Sequence, residues 1–238
     1  MSDPIVRGAV NFRDVGGLPA RGGTVRSGML FRSGNLARLK PAGTRALSAL
    51  GIRNIIDLRD DEEVAHAPSR LDGVDAHVTR LPLFLGSVES FFSNDVSLAD
   101  LYRSLIDDSA ATIVQAVRGI AEGTPVLVHC TVGKDRTGVT IAVALAAAGV
   151  DERAVVADYA RTETLLPAER NRKVVARLKA LHPDAVHLEE LATRSPAPVM
   201  EGMLAHIDAQ HGSAAGYLLD SGLEPEAIDA LRGRLIAE

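Results

Sequence analysis

The chain has 238 residues, 46% of them hydrophobic, enough for one sizeable core with an elaboration on it. A net charge of −5 argues against nucleic acid as the main partner, because a phosphate backbone calls for a basic surface. The single cysteine, Cys130, excludes an internal disulfide and a multi-thiolate zinc site, and it leaves no resolving thiol for a disulfide-cycling reductase.

Met1-Ser2-Asp3-Pro4 lacks the basic and apolar regions of a signal peptide, and no apolar run reaches the length of a membrane span. A cytoplasmic protein with no integral membrane association is the default expectation, with export by a route that needs no cleavable signal left open. Asn11-Phe12-Arg13-Asp14-Val15-Gly16-Gly17 and Arg21-Gly22-Gly23 read as turns around short extended pieces, and Met29 to Arg32 as a strand. A helix is predicted from Pro41 to Leu50, with proline at its start and Gly51 just past its end. Ile52 to Leu58 and Ala76 to Leu81 are predicted strands. Between them, Asp60-Asp61-Glu62-Glu63 reads as a solvated helix start, where acids suit the N-terminal dipole, and is given no catalytic role. Phe84 to Asp100 has weak periodicity and reads as a loop or short helix before a longer helix, Leu101 to Glu122.

Val126-Leu127-Val128 after Pro125 is a short apolar strand, and Val139 to Val150 a long Ala/Val-rich helix. Beyond Asp151 only helices are expected: Arg153–Thr162, Ala168–Leu181, Val199–Gln210, Ala214–Ser221 and Glu226–Ile236, separated by prolines. Strands that alternate with helices and then stop predict an α/β architecture with a mostly parallel sheet and a C-terminal helical group, in one domain spanning 1–238. The stretch from about Pro183 to Gln210 reads either as a lid over the active edge or as the finish of the core.

The chemistry concentrates in the turn between strand and long helix, His129-Cys130-Thr131-Val132-Gly133-Lys134-Asp135-Arg136-Thr137-Gly138. A loop entering a helix offers free backbone N–H groups and the positive end of the helix dipole, which together cradle a phosphate dianion. Cys130 at the base of that cradle is placed as a nucleophilic thiolate, held by the same N–H groups. Arg136 at the rim can close a bidentate fork on two phosphoryl oxygens. The Gly-Lys pair is not a nucleotide P-loop, since Asp135 stands where Ser or Thr is needed. His66, His77, His182, His187, His206 and His211 show no convincing metal-ligand spacing.

The interval from Cys130 to Arg136 resembles the cysteine-dependent protein tyrosine and dual-specificity phosphatases. Taken with Asn11-Phe12-Arg13-Asp14, Phe31-Arg32-Ser33, Asp57-Leu58-Arg59, Ala157-Asp158-Tyr159 and Gly216-Tyr217-Leu218, the chain is similar to the bacterial tyrosine phosphatases related to a secreted mycobacterial enzyme. The resemblance implies a three-layer fold and a two-step reaction: Cys130 attacks phosphorus, an acid protonates the leaving group, and water hydrolyses the phosphocysteine to release inorganic phosphate. It implies no metal and no cofactor. Thr131, Val132, Gly133, Lys134 and Thr137 would complete the phosphate loop, with Thr137 also near the sulfur and His129 orienting the loop. The chain has no tryptophan, so a Trp-Pro-Asp acid loop is impossible. Asp135 is the first candidate acid, because related bacterial enzymes carry an aspartate there, and Asp57 is the second. Lys134 adds a loop cation of the kind that suits multiply phosphorylated headgroups. The implied substrates are therefore phosphotyrosine proteins together with phosphoserine, phosphothreonine and phosphoinositides. Two other readings are a phospho-ligand binding module without turnover and a sulfur-transfer or arsenate-reducing enzyme; the latter is disfavoured by the five-residue interval and the absent second cysteine.

Overall fold

The computed structural model describes residues 6–83, 95–123 and 125–237. The chain forms β1 (Arg13–Asp14), β2 (Pro19–Ala20), β3 (Gly23–Val25), β4 (Leu30–Ser33), α1 (Pro41–Ala49), β5 (Asn54–Asp57), α2 (Asp61–His66) and β6 (His77–Arg80). It continues through α3 (Leu98–Asp108), α4 (Ala110–Glu122), β7 (Val126–His129) and α5 (Asp135–Ala148). The rest is α6 (Glu152–Ala160), α7 (Thr162–Leu165), α8 (Ala168–Leu181), α9 (Leu188–Thr193), α10 (Ala197–His211), α11 (Ala214–Asp220), α12 (Pro225–Leu235) and β8 (Ile236–Ala237). The loop or short helix expected from Phe84 falls largely outside the described residues.

The main sheet has the order β1-β4-β7-β5-β6, parallel throughout except for the antiparallel edge strand β1. Strand side chains alternate between faces, and the alternation separates two cores. Leu30, Ile56, Val126 and Val128 face a large core with α3 to α6 and α10 to α12, whereas Phe31, Ile55 and Leu127 face a smaller one that includes Leu47 of α1. The fold is thus α/β in three layers. A second, antiparallel sheet, β2-β3-β8, ties the last strand of the chain to its beginning.

α5 is apolar on nearly every side, from Val139 and Ile141 to Leu145 and Ala148, which suits a helix packed centrally rather than on a surface. The single helix expected from Leu101 to Glu122 is two, broken at Ser109, whose backbone (φ −120°, ψ 19°) leaves the helical region. The break lets α3 bury Tyr102, Leu105 and Ile106 while α4 turns Ile113, Val117 and Ile120 inward. Within the stretch 183–210, α10 buries Met200, Met203, Leu204 and Ile207 in the main core. α8, by contrast, buries none of its residues.

Candidate active site

The registers of β4 and β5 on β7 place Ser33, His129 and Asp57 level with one another. Their following loops therefore meet at the carboxyl edge of the sheet, where open α/β folds bind ligands. Cys130 begins the central loop and is 3% exposed. The Gly133 N–H donates to its Sγ at 3.2 Å. The loop then enters α5 with no side-chain cap at Lys134, so the first-turn N–H groups of the helix remain free for an anion.

Gly133 makes this path feasible. Its φ is +75°, and a Cβ there would lie 2.3 Å from the Ser33 carbonyl oxygen, so both the left-handed backbone and the close approach require glycine. Its carbonyl points away from the cradle and accepts from Asn11 Nδ2 at 2.8 Å and Arg32 Nη2 at 3.0 Å. Behind them, Asp158 of α6 binds Arg13 Nε and Arg32 Nη1, both at 2.8 Å. Arg13 also donates to Thr162 at 3.1 Å and to the Asp158 carbonyl at 2.8 Å. Burial and the neighbouring Arg32 lower the pKa of Arg13 to about 10, against the attraction of Asp158. This charged cluster braces the loop from inside the protein. Thr131 is held on the other flank, its carbonyl accepting from Asn35 N at 3.1 Å and Nδ2 at 3.0 Å, and Val132 packs its backbone against Gly34.

Arg136 turns both terminal nitrogens onto Glu63, Nη1 to Oε2 and Nη2 to Oε1, each at 2.6 Å. The Thr131 hydroxyl donates to the same carboxylate. Burial works against the charge on both partners, but the mutual bonds prevail: Glu63 falls to about 2, and Arg136 rises above its ordinary value, helped also by the charge of Cys130. Glu63 is the site residue that sequence reasoning missed. Asp60 and Glu63 form a capping box at the start of α2, a spacing visible in the sequence, but the contact with Arg136 spans 73 positions.

Asp135 is gripped by Lys134 Nζ at 2.5 Å and by the Tyr102 hydroxyl at 3.0 Å, both at Oδ1. Tyr102 and Tyr159 hydroxyls lie 2.9 Å apart. Burial, and then the charge of Asp135, raises the pKa of both tyrosines, keeping them protonated donors. Lys134 is only 1% exposed; its charge is committed to Asp135. Thr137 Oγ1 is buried with no hydrogen-bond partner among the described residues, the sulfur of Cys130 included.

Asp57 is held by Arg59 through the backbone N–H at 3.1 Å, Nε at 2.8 Å and Nη2 at 2.6 Å. Burial pushes its pKa up, but the hydrogen bonds from Arg59 and the charge of that side chain bring it below the ordinary carboxylate value. Through these contacts Asp57 braces the start of the loop that follows β5. His129 is fully buried, and its Nδ1 lies 3.3 Å from the Cys130 carbonyl oxygen. That contact assigns the Nδ1–H tautomer, with Nε2 facing Asp57 at 3.7 Å. Burial lowers the pKa of His129 to about 4, outweighing Asp57.

A pH dependence of stability follows. The folded pKa of His129 lies below its unfolded value, so the unfolded chain binds the proton first as pH falls. Its contribution, about 3 kcal/mol, is complete above pH 6.5 and lost progressively towards pH 4. Glu63 adds a second loss of the same sign at lower pH, between 4.5 and about 2. Urea midpoints measured against pH should slope downward across the first window and flatten there in His129→Gln. An unchanged slope in the variant would reject the assignment.

A family model described as "Tyrosine phosphatase family" matches residues 5–237. The chain is 32% identical over 273 aligned residues to "Triple specificity protein phosphatase PtpB" of Mycobacterium tuberculosis, covering 96% of this chain and 97% of the relative. It is 29% identical over 214 residues to a tyrosine-protein phosphatase of Nostoc commune, covering 86% of this chain and 73% of the relative. A crystal structure of P. aeruginosa TpbA aligns with a TM-score of 0.40 at 18% identity, covering 75% of this chain and 89% of TpbA. The family match begins before the buried Arg13 and ends beyond α12, taking in the cysteine loop and the residues that brace it, and the chain belongs to the tyrosine phosphatase family.

Proposed function

We propose that this phosphatase hydrolyses phosphotyrosine, and also phosphoserine, phosphothreonine and phosphoinositide monoesters, through a phosphocysteine on Cys130. The observation that carries the mechanism is the Gly133 N–H on Sγ at 3.2 Å, at the base of an uncapped helix N-terminus. In this reading the thiolate attacks phosphorus, the P–O bond to the leaving group breaks, and Asp135 delivers the proton that the departing oxygen needs. Water, giving a proton back to the Asp135 carboxylate as its oxygen attacks phosphorus, then cleaves the S–P bond, releasing inorganic phosphate and restoring both the thiolate and the acid. The loop N–H groups and Arg136 stabilise the equatorial oxygens in both steps. Glu63 holds Arg136 in place, and Tyr102 with Lys134 holds Asp135. The wider substrate range draws support from the printed name of the mycobacterial relative, which gives that protein triple specificity.

Two experiments test the reading. Acid quenching during turnover of a radiolabelled phosphotyrosine peptide should trap label on the peptide that contains Cys130; rapid turnover with no trapped label at any quench time would contradict the intermediate. Asp135→Asn should slow hydrolysis of alkyl phosphates, which leave poorly, by roughly 10²–10⁴-fold, and change an activated aryl phosphate little. An equal loss on both substrates would remove Asp135 as the acid.

A further inference from the structure

α8 and α9 form a hairpin, each the other's main packing partner, in which α9 buries Leu188 and sets Leu191 against the main core while α8 buries none of its residues. Asn171, Val174, Val175 and Leu178 are half-buried at helical spacing and make its covered side. The opposite side exposes Arg172, Lys173, Arg177 and Lys179, separated by Ala176 and Ala180. With Arg170 these make five basic side chains against one acid, Glu169, a net of +4 on one helix in a chain of net charge −5. At the turn beyond the helix, Leu181 and Val186 are 61% and 79% exposed, the most exposed large apolar side chains among the described residues. One acid, Asp184, shares that turn. The other end of α8 reaches the active site, where the charge of Asp135 acts on Arg170. The helix therefore runs about 20 Å from the site to the turn.

Basic residues beside an exposed apolar pair on one turn match an interface that is negatively charged, soft and apolar beneath its charged layer. We propose that the α8–α9 hairpin docks on an anionic lipid bilayer, with Arg172, Arg177 and Lys179 on the headgroups and Leu181 and Val186 entering the interface. An acidic protein surface would satisfy the charges but not the two exposed apolar side chains beside them. Docking tethers the enzyme to the surface that carries lipid headgroups, and this use rests on the reading of phosphoinositides as substrates.

The test is cosedimentation of the full chain with phosphatidylcholine vesicles, with and without phosphatidylserine and free of phosphoinositide. Binding is expected to vesicles containing phosphatidylserine and to weaken with salt. Arg177→Glu with Lys179→Glu should reduce it by roughly tenfold or more, and Leu181→Asp with Val186→Asp should also reduce it. All four substituted side chains are exposed, and hydrolysis of a soluble aryl phosphate by these variants should match the wild type. Equal binding to neutral vesicles, or variants that bind as the wild type does, would overturn the proposal, as would capture of acidic proteins with no binding to vesicles. An enzyme that binds vesicles yet hydrolyses no phosphoinositide would retain the docking surface and refute the lipid substrate, so the two failures are distinct.

Discussion

Cys130→Ser is expected to lower turnover of every phosphate ester by about 10⁴-fold or more, with the chelator EDTA present in all assays, while phosphopeptide affinity stays within a few-fold. A hydroxyl needs a base to become a nucleophile, and the residues nearest the loop supply none. His129 is neutral, with Nδ1 turned to the Cys130 carbonyl and Nε2 towards Asp57. Glu63 is occupied by Arg136 and Thr131. Binding survives because the loop N–H groups and Arg136 do not depend on the sulfur. Single-turnover kinetics with isothermal titration of a phosphotyrosine peptide would measure both quantities. Turnover within tenfold of the wild type would mean that Cys130 is not the nucleophile.

Asp158→Ala is expected to destabilise the fold by about 3–5 kcal/mol, because it removes a buried counter-charge. Arg13, Arg32 and Asp158 are 0%, 1% and 2% exposed, and removing the carboxylate leaves two guanidinium groups facing each other without their shared counter-charge. That loss is a large share of the roughly 5–15 kcal/mol that holds a typical domain folded. The damage should also reach the site, since Arg32 and Asn11 fix the Gly133 carbonyl. Protein that remains folded at low temperature should show a lower kcat/KM as well as an earlier unfolding midpoint. A shift worth less than about 1 kcal/mol, the typical effect of a point substitution, would show that the cluster does not carry this load.

The sequence made the catalytic end of the sheet legible because strand, loop and helix are contiguous there. Apolar residues around Val126 and Val139 set the frame, and the interval from Cys130 to Arg136 needed no tertiary information. The bracing was only partly legible. Arg32 sits in a strand whose four residues are all buried, and an arginine amid such neighbours signals a buried partner, but Asp158 lies 126 positions away. Glu63 looked like a helix start because it is one, and its second bond depends on how α2 packs beside the loop. The break at Ser109 leaves no mark in the pattern, because Leu101 to Glu122 keeps apolar side chains at helical intervals on both sides of it. The short α9 offered too few turns to establish a period.

The Glu63 carboxylate has two roles at once: Oε2 accepts from the Asp60 N–H at 3.0 Å, closing the capping box, and from Arg136 at 2.6 Å. A six-residue helix is too short to persist by itself, so α2 is kept wound partly by the guanidinium of a different element. Fraying at its first turn and release of the arginine are one event. Amide exchange at the front of α2 therefore reports, from outside the cleft, how firmly the Arg136 side chain is held at any moment.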